Sequence, residues 1–414
     1  MKVLYACVTC GKQVETDQVV YECPYCAAEK PGAPAARRAG FPRGCLSVVS
    51  GDVPRRERGG PVDPLRFLPL PMLNRAAFPA GNTPLVEPDR LRARTGFSRL
   101  FFKNDTLNPS GSLKDRASFL VAEQARENGE KCVVLASTGN AGASMACAGA
   151  AYGLSVVLFV PASAPRAKLL QSLLYGARVV PIQGTYDDAF GLSIAYTHAR
   201  GGINRNTGFN PFTVEGKKTV SLEIYNQLGC QAPDVMYVPT GDGVIFSGAC
   251  KGFADLMKAG CSGRMPVMVV VQAEGSNAIS RSWREGRQIV LSSTTTIADS
   301  LSVSCPAAGA MALDCLQRYG GRAVEVTDTE ISAAQAELAG EAGLFVEPSS
   351  AAAWAGFLKD RGNVDPEAGV VVLLTGTGFK DTAAAEKLVA LPSACKADLD
   401  SALRLLADAY GMKG

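Results

Sequence analysis

Residues 132–160 read CVVLASTGNAGASMACAGAAYGLSVVLFV, and this stretch decides the fold. Two continuous apolar runs, 132–135 and 154–160, flank an Ala-rich segment, 141–152, that has the composition of a helix. Strands that are covered on both faces show continuous apolar runs, whereas half-exposed strands alternate. The stretch therefore predicts a strand, a helix and a second strand that runs parallel to the first.

The same pattern recurs along most of the chain. Further continuous apolar runs occupy residues 179–182, 235–238, 267–271, 323–326 and 370–374. Helical patterns follow nearly every run, at residues 165–175, 245–258 and 331–342 among others. Repeated strand–helix units imply parallel sheets with helices on both faces, so the predicted class is α/β.

Length, charge and cysteine content limit the classes of protein to which the chain can belong. A chain of 414 residues exceeds what one hydrophobic core usually serves, so two or three folding units are expected. The formal net charge is only +3, and the basic cluster at residues 55–58 is interpreted as a solvated loop, so no nucleic-acid partner is expected. No membrane segment or signal peptide is predicted, because the longest apolar runs have strand length. The 13 cysteines are expected to be mostly reduced thiols of a cytoplasmic protein.

The start of the chain carries two C-x-x-C knuckles. The thiolates of Cys7, Cys10, Cys23 and Cys26 have the spacing that lets four ligands converge on Zn²⁺ in tetrahedral geometry. We therefore predict a structural zinc ribbon over residues 1–36, with residues 19–21 in one arm of its hairpin. A redox C-x-x-C motif and four unrelated thiols are the alternatives.

The ribbon is followed by a segment without regular periodicity. Residues 37–80 are rich in Pro, Gly and Arg and are predicted to form a linker or wrapping arm. Cys45 in this segment offers a substitute zinc ligand. Residues 81–414 then form the main body of the protein.

Loops rich in Gly, Ser, Thr and Asn follow three of the predicted strands. They are Ser137-Thr138-Gly139-Asn140-Ala141-Gly142, Thr240-Gly241-Asp242-Gly243 and Thr375-Gly376-Thr377-Gly378. In a parallel sheet such loops lie at the carboxyl edge, where α/β proteins bind ligands, and helix N-termini there present N–H groups to anions. None of the loops is a Walker A motif or a dinucleotide fingerprint. Together they predict a site for an anionic ligand.

Lys114 stands in an unusual local setting. It follows the turn Asn108-Pro109-Ser110-Gly111-Ser112 and falls in the first turn of a predicted helix, where a cation opposes the helix dipole. The ordinary interpretation is a solvated lysine paired with Asp115. The alternative is a lysine made less basic by burial and positive potential, which covalent chemistry with carbonyl groups requires.

Six motifs, in this order, carry a resemblance to a known family. They are residues 81–85 (GNTPL), 108–116 (NPSGSLKDR), 137–140 (STGN), 210–219 (NPFTVEGKKT), 241–243 (GDG) and 375–381 (TGTGFKD). The chain resembles the fold-type-II pyridoxal-phosphate enzymes, and among them threonine synthase and its relatives, many of which begin with a ribbon. The resemblance implies a tryptophan-synthase-β-like fold with two parallel-sheet subdomains, the smaller at roughly residues 130–220, and a homodimer.

The resemblance also implies roles for individual residues. Lys114 would hold pyridoxal 5'-phosphate covalently and then serve as acid and base, Asn140 would bond the ring hydroxyl, and Thr375 would face the pyridine nitrogen. The cofactor phosphate would be bound by the N–H groups of Gly241, Asp242, Gly243 and Val244. The amino-acid substrate would be bound by Ser137, Thr138, Asn140 and Lys217. The implied reaction converts O-phospho-L-homoserine and water to L-threonine and phosphate.

Three positions depart from the pattern of related threonine synthases. Thr213 stands where an arginine is common, Asp242 where asparagine is usual, and Thr377 where histidine is frequent. An arginine at position 213 would suit the leaving phosphate, because guanidinium binds phosphate oxygens in bidentate fashion. Lys217, Lys218 or Arg205 could supply that charge instead.

Two other functions follow as alternatives. A paralogue could act on O-phosphoserine by β-replacement, or on serine or threonine by β-elimination. In the second alternative, the ribbon is a nucleic-acid or protein-binding module on an inactive scaffold. The near-neutral charge and the presence of Lys114 argue against it.

Overall fold

The computed structural model describes residues 2–28, 44–49, 59–70 and 79–412. The basic cluster at residues 55–58 and most of the predicted arm at 37–80 lie outside the described residues. The strands are β1 (Val3–Cys7), β2 (Gln13–Thr16), β3 (Leu46–Val48), β4 (Leu85–Val86), β5 (Leu100–Asn104), β6 (Cys132–Ala136), β7 (Ser155–Pro161), β8 (Arg178–Ile182), β9 (Ile203–Asn204), β10 (Val235–Pro239), β11 (Val267–Ala273), β12 (Arg322–Val326) and β13 (Val370–Leu374). The α-helices are α1 (Pro24–Ala28), α2 (Asp89–Thr95), α3 (Lys114–Glu127), α4 (Asn140–Tyr152), α5 (Arg166–Leu174), α6 (Tyr186–Arg200), α7 (Phe212–Gln227), α8 (Val244–Lys258), α9 (Ala278–Glu285), α10 (Gly309–Tyr319), α11 (Asp328–Ala342), α12 (Pro348–Asp360), α13 (Thr382–Glu386) and α14 (Leu399–Tyr410).

The N-terminal ribbon is a three-stranded antiparallel sheet in the order β2-β1-β3. The hairpin pairs β1 with β2, and Gly11 after the first knuckle takes the positive φ of 71° that this turn requires. The segment between the knuckles supplies one arm of the hairpin, as predicted, but through Gln13–Thr16, whereas residues 19–21 lie outside the strands. Tyr21 instead stacks on Phe209 of the main body, with ring centroids 4.9 Å apart. The third strand, β3, carries the ribbon's sheet beyond the predicted boundary at residue 36.

The smaller subdomain contains a parallel four-stranded sheet in the order β8-β7-β6-β9. Strands β6 and β7 are covered on both faces, as their continuous apolar runs predict, whereas the edge strand β8 is partly exposed. Val133 and Leu135 pack in one core with residues of α3 and α4, whereas Val134 and Ala136 pack in another with residues of α6. The sheet lies within the predicted range of 130–220.

The larger subdomain contains a six-stranded sheet in the order β12-β11-β10-β13-β5-β4, parallel except for β4. Alternate residues of β10 and β13 point into two cores, one shared with α7 and α8 and the other with α11 and α12. The predicted α/β class with two parallel sheets is confirmed. Strands β4, β5 and β9 were not predicted from their sequences.

Glycine lets two helices cross closely near the site. At Gly216 of α7, a Cβ atom would lie 2.2 Å from the backbone oxygen of Arg116 in α3. Such a contact is far inside van der Waals distance, so only glycine fits at this crossing. The crossing sets the position of α3, which Lys114 begins.

Among the described residues, no helix combines the length and the apolar character that are needed to cross a membrane.

Candidate active site

The site lies where loops from both subdomains come together. A cavity of about 500 Å³ is lined by Lys114, Ser137, Thr138, Asn140 and Asp242, among others. A smaller cleft shares Lys114, Asn140 and Asp242 with this cavity and adds Gly241 and Thr375. The structure therefore brings together residues of all three predicted loops and the predicted catalytic lysine.

Two backbone contacts hold Lys114 at the carboxyl end of β13. The N–H of Leu113 donates to the carbonyl oxygen of Thr375 at 2.8 Å, and Ser112 forms an isolated β-bridge with Gly376. Lys114 begins α3 immediately after these contacts. The lysine and Thr375 thus share one small cleft, although they come from distant parts of the chain.

The surroundings of Lys114 favour its neutral amine. Burial lowers the pKa of the Lys114 ammonium group below its ordinary value, and the charge of Arg205 adds to this effect. The carboxylates of Asp242 and Glu347 act in the opposite direction but do not cancel it. An amine with a lowered pKa is the form that reacts with carbonyl carbon.

Asp115 does not pair with Lys114. Its carboxylate accepts hydrogen bonds from the backbone N–H of Ser110 at 2.6 Å and from the Ser110 hydroxyl at 2.5 Å. These bonds close the turn before α3. The interpretation of Lys114 as a solvated partner of Asp115 is therefore wrong.

Asn140 contacts a carboxylate that the sequence did not place in the site. Its Nδ2 donates to both carboxylate oxygens of Glu347, each at 2.9 Å. Glu347 is buried and lines the same cleft as Lys114. Burial raises the pKa of Glu347, whereas the bond from Asn140 and the charge of Lys114 lower it. The stretch Glu347-Pro348-Ser349-Ser350 carries the sequence signal, since it puts polar side chains at the start of α12, but it is not one of the three loops from which the site was predicted.

Helix α12 has no side-chain cap bond, and the two serines in its first turn bond to other loops. The hydroxyl oxygen of Ser350 accepts from the N–H of Thr375 at 2.8 Å. The hydroxyl oxygen of Ser349 accepts from the N–H of Ser300 at 3.0 Å. Both serines therefore connect loops that line the site.

The loop after β10 is shaped as a cradle. A Cβ atom on Gly241 would lie 2.8 Å from the oxygen of Ser300, and one on Gly243 would lie 2.7 Å from the oxygen of Ala308. Gly243 also has a positive φ of 86° and immediately precedes α8. Within the described residues, the N–H groups of Gly241, Asp242 and Gly243 donate to no acceptor. An anion at this helix N-terminus would find three free donors.

Asp242 occupies part of this cradle. Its Oδ1 accepts from the N–H of Val244 at 2.9 Å, and its Oδ2 accepts from the hydroxyl of Thr207 at 2.8 Å. Of the four N–H groups that were predicted to hold the cofactor phosphate, that of Val244 is thus engaged. Burial would raise the pKa of Asp242, but the charges of Lys217 and Lys114 lower it overall, so the carboxylate stays ionised.

The candidate cations differ in their surroundings. Lys218 is bound by Glu215 at 2.7 Å and by Asp255 at 2.8 Å, so its charge is already balanced. Lys217 and Arg205 are also fully buried, but Lys217 does not line the main cavity whereas Arg205 does. These two remain as candidates for the charge that an arginine at position 213 would supply.

Thr213 is turned away from the cavity. Its hydroxyl donates to the carbonyl oxygen of Asn210 at 2.7 Å and accepts from the N–H of Gly208 at 3.3 Å. The threonine therefore serves the fold of its own loop. Ser137 and Thr138, by contrast, line the main cavity and are partly exposed there.

A buried ionic network holds the helix that carries Lys114. The guanidinium of Arg116 donates to Asp105 at 2.6 Å and to Glu223 at 2.7 Å, and Lys103 donates to Glu223 at 2.8 Å. Arg116 and Lys103 are fully buried, so the pairing matters more than a surface salt bridge does. The network ties α3 to β5 and α7.

A second cavity of about 410 Å³ adjoins the first. It shares Asn140, Ser300 and Glu347 with the site and is also lined by Thr377 and Lys380. Thr377, the third departure from the family pattern, thus faces this second cavity. Ser300 belongs to the loop before α10, which no motif identified in advance.

The four knuckle cysteines converge. The Sγ atoms of Cys7 and Cys26 are 3.7 Å apart, those of Cys10 and Cys23 are 3.6 Å apart, and all four lie within 4.8 Å of one another. A tetrahedral Zn²⁺ with Zn–S bonds of about 2.3 Å places its sulfurs about 3.8 Å apart, so the geometry fits zinc. Cys45 is not part of the group, because its Sγ points to the carbonyl oxygen of Gly208 at 3.9 Å.

The site suits a pyridoxal phosphate group. The cradle before α8 offers free N–H donors, Arg205 supplies buried positive charge, and Lys114 faces the same cleft as Thr375. A threonine hydroxyl is neutral, so Thr375 can meet a pyridine nitrogen without forcing its protonation.

Comparison with known proteins gives the same result. Residues 77–376 match the family model described as pyridoxal-phosphate dependent enzyme. The threonine synthase of Methanocaldococcus jannaschii is 32% identical, over 97% of this chain and 99% of that protein. The threonine synthase of Synechocystis sp. is 37% identical, over 73% of this chain and 77% of that protein.

Solved structures agree on the fold. Threonine deaminase isoform 2 from Solanum lycopersicum has a TM-score of 0.68 at 22% identity, over 83% of this chain and 98% of that one. At this identity the likeness shows the fold alone. From the matched family model and the full-length similarity to threonine synthases, the chain belongs to the pyridoxal-phosphate-dependent enzyme family and is a lyase of the threonine-synthase-like kind.

Proposed function

We propose that this protein is a threonine synthase, which converts O-phospho-L-homoserine and water to L-threonine and phosphate. In this reaction the Cγ–O bond breaks and phosphate leaves, Cβ loses a proton and Cγ gains one, the hydroxyl of water adds to Cβ, and the remaining proton of water goes to the phosphate. The observation that carries the proposal is the convergence of Lys114, Asn140, Thr375 and the cradle at Gly241–Gly243 in one cleft of a chain similar to threonine synthases along its length.

The residues of the site divide the work. Lys114 holds the cofactor and later moves protons at the α and β carbons, for which its lowered pKa suits it. The cofactor, when bound, accepts the electron pair left at the α carbon. The free N–H groups of Gly241, Asp242 and Gly243 bind the cofactor phosphate, and Thr375 contacts the ring nitrogen.

The substrate end is formed by the loop before α4. Ser137 and Thr138 line the cavity and offer hydroxyl and N–H donors to the α-carboxylate. Asn140 bonds the ring hydroxyl, and its orientation is held by Glu347. Because the Asn140 amide nitrogen already donates to both carboxylate oxygens of Glu347, this hydrogen bonding must be shared when a ligand enters.

A second candidate function remains, and one observation favours it. Thr213 bonds its own loop and leaves the cavity without the arginine that related threonine synthases commonly have at this position. A shorter phosphorylated substrate, O-phospho-L-serine, would then react by β-replacement or β-elimination.

The experiment offers the cofactor-loaded protein O-phospho-L-homoserine and, in parallel, O-phospho-L-serine with and without sulfite. Phosphate and threonine from the first substrate alone establish threonine synthase. Phosphate from phosphoserine alone excludes threonine synthase and establishes the second function.

We further propose that the four knuckle thiolates hold one structural Zn²⁺. A closed set of four sulfurs leaves no position for a substrate, so the ion stabilises the ribbon and takes no part in the reaction. Metal analysis of the purified protein should give one zinc per chain, and a Cys10→Ser variant should give less.

We also propose that the protein is a homodimer in the cytoplasm, with amino acids and no nucleic acid as its partners. Leu170, Leu174 and Phe379 are exposed apolar side chains around the second cavity, and homodimer interfaces cover surfaces of this kind. Sedimentation equilibrium should give twice the chain mass of 43.3 kDa.

A further inference from the structure

Arg205 is a buried arginine with unsatisfied donors. Its side chain is fully buried, and its Nε donates to the hydroxyl of Ser118 at 3.2 Å. Within the part of the chain that the structure describes, its Nη1 and Nη2 have no hydrogen-bond partner. Buried guanidinium groups normally have a carboxylate or phosphate partner, because an unpaired buried charge is strongly unfavourable. The open Nη pair therefore indicates a site for an anion.

The fold places Arg205 at the edge of the main cavity. Arg205 directly follows β9, and its own N–H donates to the carbonyl oxygen of Val134 in β6 at 2.8 Å. Its side chain lines the main cavity together with Ser137, Thr138 and Tyr186. The guanidinium thus lies in the same cavity as the loop proposed to bind the substrate carboxylate.

Among the described residues, the groups around Arg205 do not restore its ordinary pKa. Asp242 is the first of the groups that counteract the effect of burial on its charge, with Tyr186 and Asp115 next, yet burial still lowers the pKa of Arg205 to about 10. Asp242 already accepts from Val244 and Thr207, and Lys217 and Lys114 also act on its single charge.

Lys217 is a second buried side chain whose Nζ has no hydrogen-bond partner among the described residues. Burial lowers its pKa well below the ordinary value, and the charges of Lys114 and Arg205 add to this effect, whereas Asp242 acts in the opposite direction. Its Cβ lies 2.8 Å from where a Cβ on Gly248 would be, in the first turns of α8. A lysine with so low a pKa is a poor partner for an anion, so the guanidinium of Arg205 is the better candidate.

We propose that Arg205 binds the phosphate of the substrate side chain and takes the place of the arginine that is absent at position 213. A guanidinium offers two parallel N–H groups that match two phosphate oxygens, and both Nη atoms are free. The inference rests on the proposed function only in requiring a phosphorylated amino-acid substrate; it does not depend on whether that substrate is phosphohomoserine or phosphoserine.

The test uses the cofactor-loaded enzyme, in which the cofactor's own phosphate fills the cradle, and titrates it with inorganic phosphate by calorimetry. In Arg205→Gln, phosphate affinity should fall at least about tenfold, since a hydrogen-bonded ion pair is lost. The KM for the phosphorylated substrate should rise at least as much, while the visible absorbance of the bound cofactor is unchanged. In Arg205→Lys, affinity should be intermediate, because a point charge replaces a bidentate fork.

Arg200→Gln is the matched control, because Arg200 is exposed at the end of α6 and should bind phosphate as the parent does. Unchanged phosphate affinity and KM in Arg205→Gln would overturn the inference. Loss of cofactor in place of loss of inorganic phosphate would overturn it as well, since Arg205 would then belong to the cofactor site. If Arg205→Gln does not fold, the comparison rests on Arg205→Lys, and affinity equal to that of the parent overturns the inference. Turnover of phosphoserine alone would disprove threonine synthase and leave the binding result intact.

Discussion

The phenol oxygen of Tyr21 accepts a hydrogen bond from the backbone N–H of Asn204 at 2.8 Å, so the ribbon is bonded to the residue that precedes Arg205. A second contact lies nearby, where Cys45 shares a small core with Val214 and Val244. Val244 begins α8, directly after the cradle. The ribbon thus contacts the backbone next to Arg205 and next to the cradle at Gly241–Gly243. Loss of the ribbon's structure should therefore weaken anion binding in the cavity.

Replacement of Tyr21 by phenylalanine should destabilise the protein. The Asn204 N–H loses its acceptor, and a buried donor without a partner costs about 1–3 kcal/mol. The free energy of unfolding, measured with urea, should fall by that amount. Tyr25→Phe is the control, because Tyr25 is 44% exposed, and its variant should unfold as the parent does. Equal stability of the two variants would contradict the role given to Tyr21.

Removal of zinc should weaken phosphate binding before it affects the rest of the fold. If the ribbon loosens, Asn204 and the adjacent Arg205 lose their support, whereas the six-stranded sheet keeps both of its cores. After treatment with a chelator, calorimetry with inorganic phosphate should show weaker binding, and far-ultraviolet circular dichroism should change little. Zinc added back should restore the affinity. Phosphate binding that is indifferent to the metal would show that ribbon and cavity are independent.

Lys114→Ala should abolish the covalent attachment of the cofactor and lower turnover at least about a hundredfold, which is the lower range for a lost general acid–base. Borohydride reduction followed by peptide mass analysis should label the peptide of residue 114 in the parent and not in the variant. Lys131→Ala is the control, because Lys131 is exposed in the loop before β6. A labelled lysine elsewhere would refute the assignment.

Acid should destabilise the protein through Glu223. Burial alone would raise the pKa of Glu223. Arg116 and Lys103 have the larger, opposite effect, so the pKa falls from the ordinary 4.5 to about 2. A carboxyl whose folded pKa is depressed stabilises the fold above its unfolded pKa, and this stability is lost as the pH falls from about 4.5 towards 2.

The Glu223→Gln variant separates this effect from others. It should be less stable than the parent at neutral pH by about 3 kcal/mol, because Arg116 and Lys103 lose a buried partner. Below pH 4.5 its free energy of unfolding should fall less steeply than that of the parent. Glu127→Gln, at an exposed position of α3, should follow the parent at every pH. Parallel curves for Glu223→Gln and the parent would contradict the pKa argument.

Gly216→Ala should disturb the crossing of α3 and α7. Its new methyl group would meet backbone atoms of Arg116 and Ala117, which cannot move without shifting the helix, so a loss of about 1–3 kcal/mol is expected. Gly340→Ala is the matched control, because nothing lies within 4 Å of that Cβ and alanine favours the helix. Thermal unfolding should therefore shift in opposite directions for the two variants.

Most strands of the two parallel sheets could be predicted, because strands that are buried on both faces have continuous apolar runs in the sequence. Strand β5 was missed because Lys103 and Asn104 interrupt its apolar run, and the burial of Lys103 depends on Glu223 in a distant helix. The same limit applied to the ribbon, where Tyr21 looked like part of a strand but contacts Phe209. Local pattern does not reveal partners that are distant in sequence.

Motifs located the candidate site, and contacts decided its details. Lys114 and the three loops were identified from residue order, and the structure brings them together. Glu347 was not assigned to the site from the sequence, because its role depends on a hydrogen bond from Asn140, which is distant in sequence. The choice among Lys217, Lys218 and Arg205 could not be made from sequence, since only the structure shows which of these cations already has carboxylate partners.

The bond from Leu113 to Thr375 also constrains when the protein can become active. Strand β13 lies between β5 and β10, so the middle of the larger sheet is filled by a segment that is made long after Lys114. A nascent chain that has not yet reached this strand already carries Lys114, the cradle and the ribbon, but it lacks the strand end against which the lysine is held. Translation that stops before residue 375 therefore yields a product without the reactive cleft, and the chemistry begins only after β13 has been made.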